Sequence, residues 1–343
     1  MANEVLMELF EYYDFYSLFF SFSSLNVHFD ALLARCRASI DHDRVAPNAF
    51  IHFLARILEQ INNDHIQSFH ASNIHQMFIL AHDDSLFHFS HIRSLRLCNI
   101  PSNIIHIIVE RVYFYQLEHV SLDQKPLQIF PYSWYPSKHF LDSNRYPWLR
   151  SYSDSLMWLM EGTTVLSSLE HIRMDGASSS DSYLSLLRRS PRLKSFQANF
   201  WLESYKDSSS PIYTHDVLTN LHLRLGWKFH MSTIIYLFQS TPRVRKLTFT
   251  ASKNRHYTVV DPHWWESVLS KYFLELKWLC LRLSSDTNHT PPNPDWPVDL
   301  NEHTVRQQIE ASPYWHAHTW KLKYEKQMPT AERNYHWAAF SVS

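Results

Sequence analysis

The chain carries 23 His, 3 Cys and 33 Asp or Glu among 343 residues, the side chains from which metal sites and acid–base chemistry are built. Spacing decides whether they are organised. His88 and His91 lie 3 apart, His70 and His75 5 apart, and His316 and His318 2 apart; no HExxH occurs and no Cys stands beside any of these pairs, so spacing predicts no metal site. Cys36, Cys98 and Cys280 form neither a CxxC pair nor a disulfide framework, which points to a reducing compartment. Ser, His and Asp are plentiful, yet no spacing orders them into a triad or a carboxylate pair, so no catalytic residue is assigned. With only 3 Gly (162, 176 and 226) the chain has no GxGxxG, GxxxxGK[ST] or GxSxG. Phosphate-cradling loops and the nucleophile elbow need Gly where a side chain would clash, so the common nucleotide enzymes built on them are not expected, nor is a cofactor.

The elements that would position these residues come next. A balance of 32 Lys+Arg against 33 Asp+Glu gives a net charge of −1, with no global field to hold DNA or RNA. From Met1 to Asp30 the chain carries Glu4, Glu8, Glu11 and Asp14 but no Lys or Arg, unlike the positive start of a signal peptide. Apolar runs stop early: Phe15 to Leu25 is too short to span a bilayer, and the run around Ile104 is interrupted by His106 and Glu110, so no membrane segment is expected. At 45% hydrophobic the chain has ample core material, and a cytoplasmic or nuclear location fits.

Three helices are predicted between Asn3 and Cys36. Val5, Leu6, Leu9, Phe10 and Tyr13 recur at helical spacing after Asn3; Asp14 can cap a second helix with Leu18, Phe19 and Phe22; Asn26 can cap a third with Phe29, Leu32 and Leu33 inward. A unit this small buries too little surface to stand alone, so a partner or the next domain must cover part of it. The run Asn3-Glu4-Val5-Leu6-Met7-Glu8-Leu9-Phe10-Glu11-Tyr12, followed by Asp14, Leu18, Phe22, Leu25-Asn26, Phe29 and Leu32-Leu33, resembles the F-box, a helical trio that docks on the Skp adaptor of cullin-type ubiquitin ligases. Met1-Ala2 stands where that family carries Leu-Pro, and Phe29 where it carries a late Trp. The resemblance implies adaptor contacts from Leu6, Leu9, Phe10, Leu18 and Phe22, some of which must also form the trio's own core. Residues 46–85 read as connecting helices, with Phe50, Phe53, Leu54, Ile57, Leu58 and Ile61 in one stripe.

The central region repeats. The register L-x-x-L-x-L recurs as Ile92-Leu95-Leu97, Leu117-Val120-Leu122, Leu169-Ile172-Met174, Leu193-Phe196-Ala198, Leu218-Leu221-Leu223, Val244-Leu247-Phe249 and Leu276-Leu279-Leu281. The central residues are separated by 25, 52, 24, 25, 26 and 32, so the 52 marks a lost repeat centred near Tyr146, where Pro147 argues against a strand. Residues 123–160 are therefore a degenerate repeat or an insertion. Helices are predicted between the strands at 103–114, 181–190, 230–240 and 264–273, two of them ended by Pro191 and Pro242. A strand and a helix recurring at intervals of 24, 25 and 26 along the chain are similar to the leucine-rich repeat. That resemblance implies an α/β chain with a curved solenoid over 86–343, strands inside and helices outside, with an ordinary doubly wound sheet as the alternative.

Strand side chains alternate, so residues flanking each central apolar position point away from the core. Of the fourteen such residues none is acidic, while Arg96, Arg173 and Lys246 are cationic and His119, His171 and His222 can become so. With Gln197 and Trp278 these predict a polar to positive face suited to an acidic or phosphorylated protein. After Pro291–Pro297, a short helix at Val305–Ile309, a strand at Thr319–Tyr324 and an edge strand at Trp337–Val342 are read as an atypical cap over 284–343.

The resemblances together imply a non-catalytic F-box protein with leucine-rich repeats. Residues 1–45 would bind the Skp adaptor and through it a cullin, and Arg96, His119, Arg173, Gln197, His222, Lys246 and Trp278 would bind the protein to be ubiquitinated. The alternative is a repeat scaffold whose F-box-like end does not bind the adaptor.

Overall fold

The structure, a computed structural model, describes residues 3–10, 12–13, 15–33, 38–41, 50, 66–82, 88–123, 139–155, 165–175, 180–200, 213–225, 231–254, 262–286, 302–318, 321–325 and 335–341. The chain divides into two compact units, Met1–Leu156 with Thr164–Leu169, and Met157–Thr163 with Glu170–Ser343. Each is α/β. No helix among the described residues is long and apolar enough to cross a membrane.

The first unit opens with α1 (Asn3–Phe10), α2 (Phe15–Phe22) and α3 (Val27–Leu33). Asn26 caps α3, its Oδ1 accepting the Phe29 N–H at 3.0 Å. Strands β1 (Ala38–Asp41), β2 (Ile66–Ala71), β3 (Ser94–Cys98), β4 (His119–Asp123) and β5 (Ser151–Asp154) then pair in chain order, every neighbour parallel. Parallel neighbours need a crossover, supplied here by α4 (Ile74–His82) and α5 (Ser102–Arg111), whose Met77, Leu80, Ile105 and Val109 are buried.

The second unit repeats the scheme with β6 (His171–Met174), β7 (Ser195–Phe200), β8 (Asn220–Leu225), β9 (Lys246–Asn254) and β10 (Trp278–Asp286), parallel and in chain order. Helices α6 (Ser180–Arg189), α7 (Met231–Gln239) and α8 (Pro262–Tyr272) connect them, close to the predicted ranges. After α9 (Glu302–Ala311) and α10 (Pro313–Ala317), β11 (Lys321–Glu325) and β12 (Tyr335–Ser341) add antiparallel. The order β10-β12-β11 puts β12 between two strands, so the segment expected at the edge is interior and β11 is the edge.

All seven motif copies are strands, and their central residues face one another: Leu95 opposite Val120, and Ile172, Phe196, Leu221, Leu247 and Leu279 in successive register. Every residue of that row is at most 2% exposed. Burying each such side chain is worth about 2 kcal/mol relative to leaving it in water. A recurring turn leads into the strands: the N–H of Ile92, Leu117, Leu149, Leu169, Leu193 and Leu276 donates to the carbonyl three residues earlier. At Leu218 a side chain takes over, since His215 Nδ1 accepts that N–H at 3.2 Å while Nε2 donates to the Ser190 carbonyl at 2.8 Å. His215, 1% exposed, thus bolts one repeat to the next and is fixed as the Nε2–H tautomer.

Two further sequence expectations change. The segment 46–85 is not helical throughout, for Ile66-x-x-Phe69-x-Ala71 is a strand in the motif register, Phe69 lying opposite Leu95. Of the helical stripe expected there, Phe50 is buried and Phe53–Ile61 lies outside the described residues. The missing repeat is centred on Tyr152, not Tyr146: Leu149-x-x-Tyr152-x-Asp154 places Tyr152 opposite Val120, and the separation of 52 divides into 32 and 20. Tyr146 supplies the turn before the strand, which is why Pro147 is tolerated.

Candidate binding faces and a Cys–His–Asp array

The face opposite the core is built by strand alternation. In the first unit one row aligns Asp41, His70, Arg96, Ser121 and Ser153; in the second, Arg173, Gln197, His222, Thr248 and Cys280 align. Arg96, His119, Arg173 and Lys246 are exposed, and Gln197, His222 and Trp278 are half-buried, so all seven predicted contact residues lie on this side of their strands.

The predicted charge of that face needs correction. Arg173 lies 2.9 Å from the Asp175 carboxylate, which also accepts from Asn199 Nδ2 at 3.3 Å. Asp123 ends β4 on the same side as His119, and Asp41 joins from β1, so carboxylates alternate with the cations. The strand entries carry a second ladder of opposite charges one repeat apart: Arg93–Glu118 at 3.5 Å, Lys194–Glu170 at 2.7 Å and Arg245–Glu275 at 2.9 Å. Exposed pairs of this kind add little stability but fix the local field. The fourteen residues flanking the core row contain no carboxylate because the acids sit one step further along, at strand ends and in β1, which lies outside the seven copies of the motif.

At the N-terminus the five predicted adaptor residues separate. Phe10 and Leu18 are 4% and 3% exposed and belong to the core, a correction forced by the small trio's need for an interior. Phe22 packs between Phe10 and α3, with ring centroids 5.2 Å from Phe10 and 5.5 Å from Phe29. Leu6 is half-buried and Leu9 is 44% exposed. The outward surface comes from Leu9 together with residues outside the predicted five: Val5, one turn from Leu9 on α1, and Tyr13, Phe20, Leu25 and Val27. The four-residue recurrence was the signal.

A further array lies on the sheet face of the first unit. Asp41 Oδ1 is 3.2 Å from His70 Nδ1, and His70 Nε2 is 3.6 Å from Cys98 Sγ, so β1, β2 and β3 deliver carboxylate, imidazole and thiol in that order. Such an imidazole can take the thiol proton while the carboxylate holds the ring. Cys98 is 8% exposed, and Asn99 after it adopts φ 57°, its N–H donating to the Asp123 carbonyl at 2.6 Å. No sequence spacing marks these three residues, because each belongs to a different strand and only strand pairing brings them together.

No family model and no curated protein matches the chain.

Proposed function

We propose that this protein is a non-catalytic substrate receptor of a Skp–cullin–F-box ubiquitin ligase, in the cytoplasm or nucleus, with its repeats forming a curved leucine-rich-repeat solenoid. The observation that carries the reading is the apolar surface left on the N-terminal helices. Phe10, Phe22 and Phe29 already close the trio's own core, yet Val5, Leu9, Tyr13 and Phe20 remain 44 to 50% exposed. Apolar side chains left exposed on these helices are what a docking surface would use, and the F-box resemblance names the Skp adaptor as the proposed occupant. The repeated strands support the second half of the reading, since they present aligned polar rows for a protein ligand. Function is then positional: holding a substrate near the charged conjugating enzyme raises the effective concentration for lysine attack.

Co-expression with the Skp adaptor followed by size-exclusion chromatography tests this. Wild type co-elutes and Leu9→Asp does not, while remaining folded; Phe10→Asp is unsuitable because it buries a charge. Reversing Arg96, Arg173 and Lys246 together leaves adaptor binding intact and abolishes substrate capture. A folded wild type that never co-elutes identifies a repeat scaffold instead.

One observation favours a second reading. The Asp41–His70–Cys98 order is that of a thiol nucleophile with an oriented base, which would support acyl transfer through Cys98. Labelling with a thiol-directed electrophile decides: faster labelling of Cys98 than of Cys280, lost in His70→Ala, together with turnover of a thioester probe, would replace the receptor reading. Labelling no faster than that of Cys280 removes it.

A further inference from the structure

A different cluster in the first unit has the composition of a metal site. His106 and Glu110 stand one turn apart on α5, and His139 approaches them from the turn preceding β5. Glu110 Oε1 lies 4.0 Å from His106 Nδ1 and 3.8 Å from His139 Nδ1, the imidazole centroids are 5.8 Å apart, and all three donor atoms lie within 4.8 Å of one another.

We propose that His106, Glu110 and His139 bind a zinc-class divalent cation, with the remaining coordination positions open to water.

Three features argue for a cation rather than an ion-pair cluster. The first is distance. A protonated imidazole on a carboxylate closes to about 2.7 to 2.9 Å, whereas here a single oxygen faces two imidazoles at 3.8 and 4.0 Å. Metal–ligand bonds of about 2.0 to 2.2 Å in a tetrahedral arrangement set donor atoms roughly 3.3 to 3.5 Å apart, so the three donors need to draw together by no more than about 1.5 Å. The second is the donor set. Two neutral imidazoles and one carboxylate suit zinc-class ions and form the three-ligand pattern of open sites. Their charge of −1 offsets half that of the ion.

The third feature is the support behind the ligands. α5 is anchored by Ile105, Ile108 and Val109, each at most 2% exposed. The His139 segment is pinned by Phe140 and Tyr146, at 0% and 2%, by the N–H groups of Arg145 and Tyr146 on the Asp142 carbonyl, and by the Arg145 guanidinium on the Val109 carbonyl of α5 itself. The side chains of His106, Glu110 and His139 are 44%, 52% and 24% exposed, so an ion reaches the site from solvent without opening the core. Bound there, it would clamp the 139–146 turn onto α5. The inference does not depend on the receptor reading.

The test is titration of the full chain with Zn2+ by calorimetry and with Co2+ by visible absorption. The other histidines give a weak background, so the comparison is with His139→Ala and Glu110→Gln, and with His316→Ala/His318→Ala as a distant control. One tight ion per chain, lost in the first two variants and kept in the control, is expected. Loss of a ligand should weaken binding about 100-fold or more, since removing even a supporting partner costs about 10 to 100-fold. A Co2+ band that vanishes in His139→Ala places the ion on these residues, and metal-free thermal unfolding like that of wild type shows that the variant folds. Equal stoichiometry and affinity in wild type and His139→Ala, or no tight ion in wild type, overturns the proposal.

Discussion

Two repeats of the same backbone design are filled in opposite ways. The repeat of β8 carries Leu218 just before the strand and Leu221 and Leu223 within it, all at most 2% exposed, and nothing polar enters its core row. The repeat of β5 carries Leu149, Tyr152 and Asp154 in the same three places, at 3%, 0% and 2%. There a phenol and a carboxylate occupy positions that leucine fills elsewhere, and the Tyr152 hydroxyl donates to Asp154 Oδ2 at 2.9 Å. The difference teaches that the strand position demands burial rather than a residue type: polar side chains serve if they satisfy one another, at the cost of becoming interdependent.

Breaking the regular repeats should have the largest effect. Leu247→Ala removes a fully buried side chain between two strands, and urea unfolding should show a loss of about 3 kcal/mol. His215→Ala deletes both bonds of the imidazole, one within its own turn and one to the preceding repeat, and leaves a buried N–H and carbonyl without their partner, with an expected loss of about 2 kcal/mol by the same measurement. In the irregular repeat, Asp154→Ala should cost about 1 to 3 kcal/mol, because it strands the Tyr152 hydroxyl. The double variant Tyr152→Phe/Asp154→Leu, which converts the repeat to the regular kind, should recover most of that loss. If the double variant is no better than Asp154→Ala, the two side chains are not acting as a pair.

Alkali sharpens the same contrast. Burial pushes the Tyr146 phenol up to about 12, against the opposing pull of Arg145. Tyr152 is held well above its usual range, first by burial and then by Asp154. A raised phenol pKa contributes stability that is complete below pH 10, the unfolded value, and is lost as pH rises toward the folded value. The urea midpoint should therefore fall between about pH 10 and 12, and Tyr146→Phe should flatten that fall. The smallest change is expected at the strand entries, where Arg245→Ala breaks an exposed pair and should shift stability by under about 1 kcal/mol.

The intact motif copies were legible because leucine at that spacing has one common use, and each became a strand in the predicted register. The copy at Leu149-Tyr152-Asp154 escaped because an aspartate stands at the final apolar position, and the copy at Ile66-Phe69-Ala71 because it lies in a segment whose apolar residues also fit helical spacing. The outward face of the N-terminal helices was half legible: periodicity located the helices, but a stripe of leucine and phenylalanine does not say which edge turns inward. Phe10 and Leu18 went to the core and Leu9 did not.

What the sequence determined by itself was the local design, namely a recurring apolar spacing with helix stops at Pro191 and Pro242, because these depend on close neighbours along the chain. Only the tertiary structure decided which distant groups meet. Asp41, His70 and Cys98 come from three strands, and His106, Glu110 and His139 from a helix and a turn well beyond it in the chain. The physical reason is that chemistry at these places depends on direct approach of the groups in space, and strand pairing and helix packing set that approach independently of distance along the chain.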